Sequence, residues 1–151
     1  MANTQAMCTS FKTEILSGIH ALGTTVIRAG TGADTLKAAL YLASATVNAA
    51  TTAYSATGEV SGTGYSAGGV TATNATAPTS SGTTAYWTPS ASFTYTTVTL
   101  TTSFDCVLVY NSTQSNKAIS AHTFGAQTIT AGTFVLSMPT NDSTNALIRI
   151  A

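Results

Sequence analysis

Charge is what this sequence has least of. Only 7% of its 151 residues are Asp, Glu, Lys or Arg, against about a quarter in ordinary soluble domains. No charged residue stands between Glu59 and Asp105. The five basic residues are scattered, which argues against nucleic acid as a partner. A neutral chain also lacks the repulsion that keeps protein molecules apart in solution, so its surface is suited to contact with neighbours.

Cysteine is scarce as well, and long apolar runs are absent. Cys8 and Cys106 are too few for a disulfide framework, and we expect them to be buried thiols. The first ten residues have no basic region followed by an apolar one, which predicts that there is no signal peptide. No stretch of about 20 residues is apolar enough to span a bilayer. The sequence therefore predicts a protein that is made in a reducing cytoplasm and does not contact membranes.

Patterns that carry catalysis or bind metals are missing too. His20 and His122 do not combine with the acidic residues and cysteines in any metal-ligand spacing. A hydrolytic triad from a serine, His122 and Asp105 has no G-x-S-x-G elbow to support it. We therefore predict that the protein is not an enzyme and has no cofactor. An enzyme remains an alternative only if His122 meets an acidic residue in an open cleft.

What the sequence does contain is Thr, Ala and Ser, which make up about half of it in patterns typical of strands. The main predicted strands are 91–102, 104–110, 133–138 and 145–150, together with 36–43, whose residues would also fit a helix. Weaker strands are predicted at 69–73, 83–88, 117–123 and 126–130. The apolar face of 91–102 changes parity near Thr96 and Thr97, which predicts a bulge or a change of sheet. Two stretches, 48–69 and 74–82, are predicted to be irregular. The pattern predicts one all-β domain over residues 24–151, a β-sandwich or a jelly-roll-like barrel.

The only helical period lies near the start, in residues 10–22. Phe11, Ile15, Ile19 and Leu22 share one face, and Ser10 is the predicted N-cap. Such a short helix is not stable alone, so it must lie against a sheet or a neighbouring subunit. Residues 1–23 are therefore predicted to be an N-terminal arm, with this apolar face as a candidate interface.

Residues 57–69, TGEVSGTGYSAGG, hold the most distinctive motif. Their glycines miss the dinucleotide-binding spacing by one residue, and a strand pattern follows where a phosphate site needs a helix. We interpret the motif as a structural turn in which Glu59 accepts hydrogen bonds from the turn's own N–H groups. The ring of Tyr65 is expected to pack against the fold, with its hydroxyl exposed to water. The residues assigned to this turn are Glu59, Gly62, Gly64, Tyr65, Gly68 and Gly69.

The chain resembles a group of small virion proteins of tailed bacteriophages over about residues 36–151. The shared features are an "ALY" strand, the turn E-V-x-G-x-G-Y-x-A-G-G, a "YN" strand end, a G-T-F-x-L-x-x-P strand and the final LIRIA. The resemblance is strongest at Glu59–Gly69 and at residues 147–151. One departure is that Asp105 and Cys106 stand where these proteins often have a basic or small residue.

This resemblance implies a non-enzymatic structural protein of the virion, assembled in the host cytoplasm. The first hypothesis is a capsid decoration (cement) or minor capsid protein that docks on the major capsid protein and on other copies of itself. A component of the tail, baseplate or fibre hub is the alternative, with tail proteins as its partners. A host-glycan-binding module is a further alternative, and it would need Tyr86, Trp87 and Tyr95 exposed for sugar stacking.

Overall fold

Two long strands form the centre of the molecule, whose computed structural model describes residues 3–16, 18–20, 22–23 and 33–151. Strand β6 (Phe93–Asn111) and strand β7 (Lys117–Leu136) pair antiparallel as a hairpin. Their β-branched and aromatic residues favour extended backbone. Ser115 and Asn116 turn the chain between them with positive φ angles of 53° and 59°.

The strands belong to two antiparallel sheets, and the fold is an all-β sandwich with a short N-terminal helix, as predicted. The remaining elements are β1 (Ala6–Met7), α1 (Thr9–Leu16), β2 (Leu36–Leu42), β3 (Val70–Thr71), β4 (Thr79–Ser81), β5 (Thr84–Trp87) and β8 (Ile148–Ile150). Within the described residues, one sheet has five strands in the order β1-β7-β6-β2-β3, and the other has three in the order β4-β5-β8.

The predicted change of parity in 91–102 is confirmed as a bulge. Phe93 and Tyr95 are buried on one side of it and Val98 on the other, and the register with β7 shifts between Tyr95 and Val98. Thr97, at the shift, has a φ of +53°. The extra residue at the bulge reverses which side chains point inward. Odd-numbered residues before the bulge and even-numbered residues after it therefore face the core.

Several predicted boundaries are wrong because neighbouring segments merge. The predicted strands 91–102 and 104–110 are one strand, and 117–123, 126–130 and 133–138 are another. Threonines and glycines divide the apolar pattern in each case, but the ladder between β6 and β7 continues through bulges. The predicted loop 74–82 contains β4, and only the last part of 145–150 is a strand.

The core lies on both faces of β2 and of the inner part of β6. Leu36, Leu40, Phe104 and Leu108 are fully buried, and Trp87 is 1% exposed. A strand that is covered on both faces has no solvent-exposed face that would require polar side chains, which explains why β2 is almost continuously apolar.

Candidate functional site

The turn at residues 57–69 is closed around the carboxylate of Glu59. Tyr54 Oη donates a hydrogen bond to Glu59 Oε2 at 2.6 Å, and Tyr65 Oη donates to Oε1 at 2.7 Å. The backbone N–H of Gly68 also donates to Oε1 at 2.7 Å. The predicted hydrogen bond from the turn is therefore present, and two tyrosines that sequence reasoning did not assign to the carboxylate add to it.

The hydroxyl of Tyr65 is not in water, so that expectation is wrong. It donates to Glu59 and accepts a hydrogen bond from the N–H of Leu40 in β2 at 3.0 Å. Burial, with the Glu59 hydrogen bond as the second cause, raises the pKa of Tyr65 far above its ordinary value. The pKa of Tyr54 is raised by the same two causes. Both hydroxyls therefore stay protonated and act as donors to Glu59 at any physiological pH.

The glycines let the turn press against two strands. A Cβ on Gly69, which has a φ of +71°, would lie 1.8 Å from the carbonyl oxygen of Ala38 in β2. A Cβ on Gly64, with a φ of +78°, would lie 2.2 Å from the carbonyl oxygen of Thr97 in β6. Neither distance is compatible with a side chain. Gly62 and Gly68 belong to the same motif, and a Cβ on Gly62 would likewise lie 2.0 Å from the carbonyl oxygen of Thr99.

This geometry does not suit an anion-binding site. In a phosphate-binding loop, backbone N–H groups point at the ligand. Here the N–H of Gly68 points at the protein's own carboxylate, and Glu59 would repel a second anion at that place. The turn joins β2, β6 and the loop that contains Tyr54, and it acts chemically as a cross-link between them.

The N-terminal segment folds back onto the chain's own sandwich. β1 pairs with β7, with Ala6 opposite Ala121 and Met7 opposite Ser120. The helix begins at Thr9, so Ser10 is not its cap, and Ser10 Oγ is a buried atom without a hydrogen-bond partner.

The helix ends at Leu16, so Ile19 and Leu22 lie beyond it, and the prediction that four residues share one helical face is wrong. Phe11 is fully buried in the core, whereas Ile15, Ile19 and Leu22 are half-buried. The role of this face as an interface with a neighbour stays a prediction.

A buried polar cluster holds this segment, and sequence reasoning missed it. Glu14 Oε1 accepts from Lys117 Nζ at 2.5 Å, and Glu14 Oε2 lies 2.7 Å from His20 Nε2. Asn111 Nδ2 lies 3.1 Å from His20 Nδ1 and donates to Asp34 Oδ2 at 2.8 Å. We call Glu14, His20, Asp34, Asn111 and Lys117 the arm cluster. Its members are spread over a hundred positions of sequence, so no local motif could reveal it.

The orientation of Asn111 fixes the tautomer of His20. Asn111 Oδ1 accepts from the backbone N–H groups of Thr113 and Gln114 at 3.1 Å and 3.2 Å, so its amide nitrogen must face His20 Nδ1. His20 therefore accepts at Nδ1 and donates from Nε2 to Glu14. Burial opposes the charged form of Glu14, but the hydrogen bonds from Lys117 and His20 outweigh burial and hold its pKa below the ordinary value.

A cleft of about 550 Å³ lies between the end of β1, the edge of β7 and β8. Its lining is about equally polar and apolar, and its polar groups include His122, whose Nε2 lies 2.9 Å from Ser120 Oγ. Burial lowers the pKa of His122 to about 4, so this imidazole is neutral at pH 7 and is a weak base. No Asp or Glu lines the cleft within the described part of the chain. Asp105 instead accepts from Asn3 Nδ2 at 2.7 Å, so the triad drawn from the sequence does not assemble.

The aromatic residues proposed for sugar stacking are not arranged as a platform. Trp87 is 1% exposed, and its Nε1 donates to the carbonyl of Thr76. Tyr95 is buried, and its hydroxyl donates to the carbonyl of Ala38. Tyr86 is half-buried, so only one of the three rings is partly open to solvent. A ring must be open to solvent to stack on a sugar, so the glycan-binding alternative loses its main support.

Both thiols are buried, as expected from the sequence, and neither forms a disulfide. Burial, followed by the nearby charge of Glu14, raises the pKa of Cys8 to about 11, and burial also raises the pKa of Cys106 to about 12. Thiols with such pKa values are almost wholly protonated at neutral pH and react slowly. Among the described residues, no three His, Cys, Asp or Glu side chains lie close enough to hold a metal ion.

Comparison with known proteins found no matching family model, no matching curated protein and no matching solved structure. Within the described residues, no helix is long and apolar enough to cross a membrane.

Proposed function

We propose that the chain is a non-enzymatic structural protein of a tailed-bacteriophage virion, in the simplest case a capsid decoration or cement protein. The observation that carries the proposal is the closed turn at Glu59. This is the motif that most resembles a ligand site, and its carboxylate, its two tyrosine hydroxyls and its glycines all make contacts inside the fold. A motif used in this way stabilises a scaffold and leaves nothing free to act on a substrate.

The distribution of charge supports the same proposal. Between Lys117 and Asp142 the chain has no Asp, Glu, Lys or Arg, and this stretch includes most of β7. Residues 125–128 are exposed there. Charged side chains on an exposed strand normally prevent it from pairing with strands of other chains, and this stretch has none. The bulges in β7 also disfavour such pairing, so they act in the opposite direction. Such a surface fits a subunit that is covered by neighbours after assembly.

Many copies in a symmetric particle make weak contacts sufficient. Each contact can be small because the particle engages many of them together. Shape and apolar burial then hold the subunit in place with little help from ions, and a low charge content is no disadvantage. The resemblance of Glu59–Gly69 and residues 147–151 to small virion proteins is the reason for proposing a tailed-bacteriophage particle.

The proposal is tested by purifying particles from cells that produce the chain with a small C-terminal tag. The expected result is that the tagged chain co-sediments with particles through a density gradient and resists washing at high salt, because few ion pairs hold it. Electron microscopy with a gold-labelled antibody to the tag then separates the two structural candidates. Label over the head supports a decoration protein, and label at the tail or baseplate supports the tail alternative. A chain found only in the soluble fraction would contradict both.

A further inference from the structure

We propose that the N-terminal segment, residues 3–22, is an exchangeable arm that binds the same acceptor surface on a second copy of the chain. The acceptor surface is the part of the body that the arm contacts: residues 117–121 of β7, Asn111, residues 47–49, Leu42 and Asp105. The inference names the partner and the contacts for the function proposed above, and it rests on that function for its role in a particle. Its test does not need a particle.

The arm is attached by contacts that any second copy can offer equally well. Thr4 N–H donates to the carbonyl of Val47, Cys8 N–H to that of Ile119, and Thr9 N–H to that of Ala49, all at 2.9–3.0 Å. Every copy carries an identical acceptor surface. Exchange between copies therefore keeps each of these hydrogen bonds and introduces no new unfavourable contact between the arm and the body. Exchange of an identical element is for this reason a low-cost route to oligomers.

The body keeps its own architecture without the arm. β1 contributes two residues at the edge of the five-stranded sheet, whereas β7, β6 and β2 pair with one another along their length. Removal of the arm therefore leaves the central ladder complete. It uncovers the site of Phe11, which is fully buried, and this uncovered apolar site favours the return of an arm, from the same chain or from another.

The position of the charges is the main reason to assign a recognition role to this interface. The chain has only ten charged residues, five basic and five acidic, and three of them belong to the arm cluster: Glu14, Asp34 and Lys117. Glu14 is 8% exposed and Asp34 is 4% exposed. Lys117 is more open, with 34% of its side chain exposed, so the Glu14–Lys117 pair is partly buried. Such a pair adds little net stability, but a partner that leaves Glu14 unpaired in its nearly buried position is penalised. A chain that places its few charges here gains specificity for its own sequence at this contact.

The arm also has a place where it can pivot. Gly18, which follows the helix, takes a positive φ angle of 66°. Glycine adopts such an angle without strain, so the chain can change direction here. Gly23, with a φ of 87°, lies beyond the arm, where it is buried and its N–H donates to Asn74 Oδ1 at 2.6 Å.

Cysteine pairs distinguish attachment within a chain from attachment between chains. Ala6 and Ala121 are directly opposite in the β1–β7 pair, a position at which Cα atoms lie about 4.5–5.5 Å apart, within the range of a disulfide. One protein carries Ala6→Cys and a second carries Ala121→Cys, and the two are mixed at high concentration, incubated and oxidised. A disulfide between position 6 of one chain and position 121 of another forms efficiently only when the arm of the first lies on the body of the second, and each protein oxidised alone measures the dimer that collisions produce. Cys106 is buried in the body and stays out of the reaction, whereas Cys8 belongs to the arm and is therefore replaced by serine in both proteins.

We expect a covalent species of twice the 15.3 kDa chain mass, which reducing agent converts back to monomer. The matched control is a mixture of Thr94→Cys and Val135→Cys, which are partners inside the β6–β7 hairpin and should give at least tenfold less dimer. Absence of dimer from the Ala6→Cys and Ala121→Cys mixture would overturn the proposal. Equal dimer from both mixtures would also overturn it, because the cross-link would then report random collisions.

A charge exchange tests the recognition role independently of cysteine. Glu14→Lys places two cations together within a chain, and Lys117→Glu places two anions together. In a mixture of the two proteins, each arm finds an opposite charge only on the other chain. We expect each variant to be mainly monomeric alone and the mixture to form a dimer by sedimentation. If the mixture stays monomeric while both variants remain folded by circular dichroism, the arm cluster does not direct exchange.

The outcomes separate this inference from the proposed function. A chain that is absent from particles but forms the cross-link between chains contradicts the proposed function and leaves the arm exchange standing. A chain that is present in particles but forms no such cross-link contradicts the arm exchange alone. In particles, the double variant Ala6→Cys/Ala121→Cys oxidised before assembly should incorporate at least tenfold less than its reduced form. Equal incorporation of the two forms would count against exchange.

Discussion

At the scale of single residues, Glu59 is the centre of the best-defined polar site in the molecule. Its two carboxylate oxygens accept hydrogen bonds from Tyr54, Tyr65 and Gly68 at 2.6–2.7 Å. A partly buried acceptor with three donors cannot be removed without leaving those donors unsatisfied. Tyr65 extends the link to β2, because it also accepts from Leu40.

We predict that Glu59→Ala lowers the free energy of unfolding by about 1–3 kcal/mol, the cost of leaving buried donors without an acceptor. Urea denaturation followed by tryptophan fluorescence measures it, because Trp87 is buried in the core. Thr57→Ala, an exposed change in the same turn, is the matched control and should stay within about 0.5 kcal/mol of the wild type. Equal stability of Glu59→Ala and the control would refute a structural role for the carboxylate.

His122 gives the stability a dependence on pH. Burial lowers its pKa from 6.5 to about 4. Between these values the unfolded chain binds a proton at this residue and the folded chain does not, so stability is lower at the acid end of the window. The contribution is fully present above pH 6.5, is lost as pH falls toward 4, and is on the order of 3 kcal/mol in total.

His122→Gln should remove this dependence. Urea denaturation at several pH values between 4 and 7 gives the free energy of unfolding of both proteins. The difference between wild type and variant should shift by up to about 3 kcal/mol across the window. Ser120→Ala keeps the imidazole and should keep the slope. A difference that stays constant with pH would show that His122 titrates normally in the folded protein.

At the scale of elements, the turn at residues 57–69 acts as a wedge between strands. Gly69 touches β2 through the carbonyl of Ala38, and Gly64 touches β6 through that of Thr97. The sequence predicts the turn well because glycine spacing and Glu59 are local signals. It predicts the tyrosine donors poorly, since Tyr54 precedes the motif and its contact depends on how the loop folds back.

Gly69→Ala should be strongly destabilising. The new methyl group meets backbone of β2, which cannot move without breaking the sheet, and the φ of +71° is itself unfavourable for alanine. We expect a loss of at least about 2 kcal/mol in the free energy of unfolding. Gly125→Ala is the control, because its Cβ meets no atom within 4 Å. If both variants unfold at the same temperature in a thermal melt, the close contact between Gly69 and β2 is not needed for stability, and the prediction is wrong.

The sequence also shows where prediction of elements ends. Apolar alternation located β2, β5 and the parity change in β6, because these signals lie within a few residues. It divided β6 and β7 into pieces, because bulges shift the alternation without ending the strand. The arm cluster was missed because its five members come together only after β6, β7 and the N-terminal segment have packed.

At the scale of the whole molecule, the described charges and hydroxyls mostly serve internal contacts. Glu59 closes a turn, Glu14 and Lys117 hold the arm, and Asp105 accepts from Asn3. The surface that remains is rich in threonine and serine, and it fits contact with neighbouring subunits better than capture of a charged ligand. The all-β sandwich follows from the sequence. Its assignment to a virion is a proposal, and the fold alone does not identify the particle.

The number of copies of the chain in each purified particle tests that proposal most directly, and quantitative mass spectrometry against a labelled standard measures it. A structural subunit must be present in a number that symmetry fixes, on the order of hundreds for a decoration protein and about six to a few dozen for a tail component. We predict such a number, constant between preparations and unchanged by washing at high salt. A content below one copy per particle, or one that falls with each wash, would contradict the account.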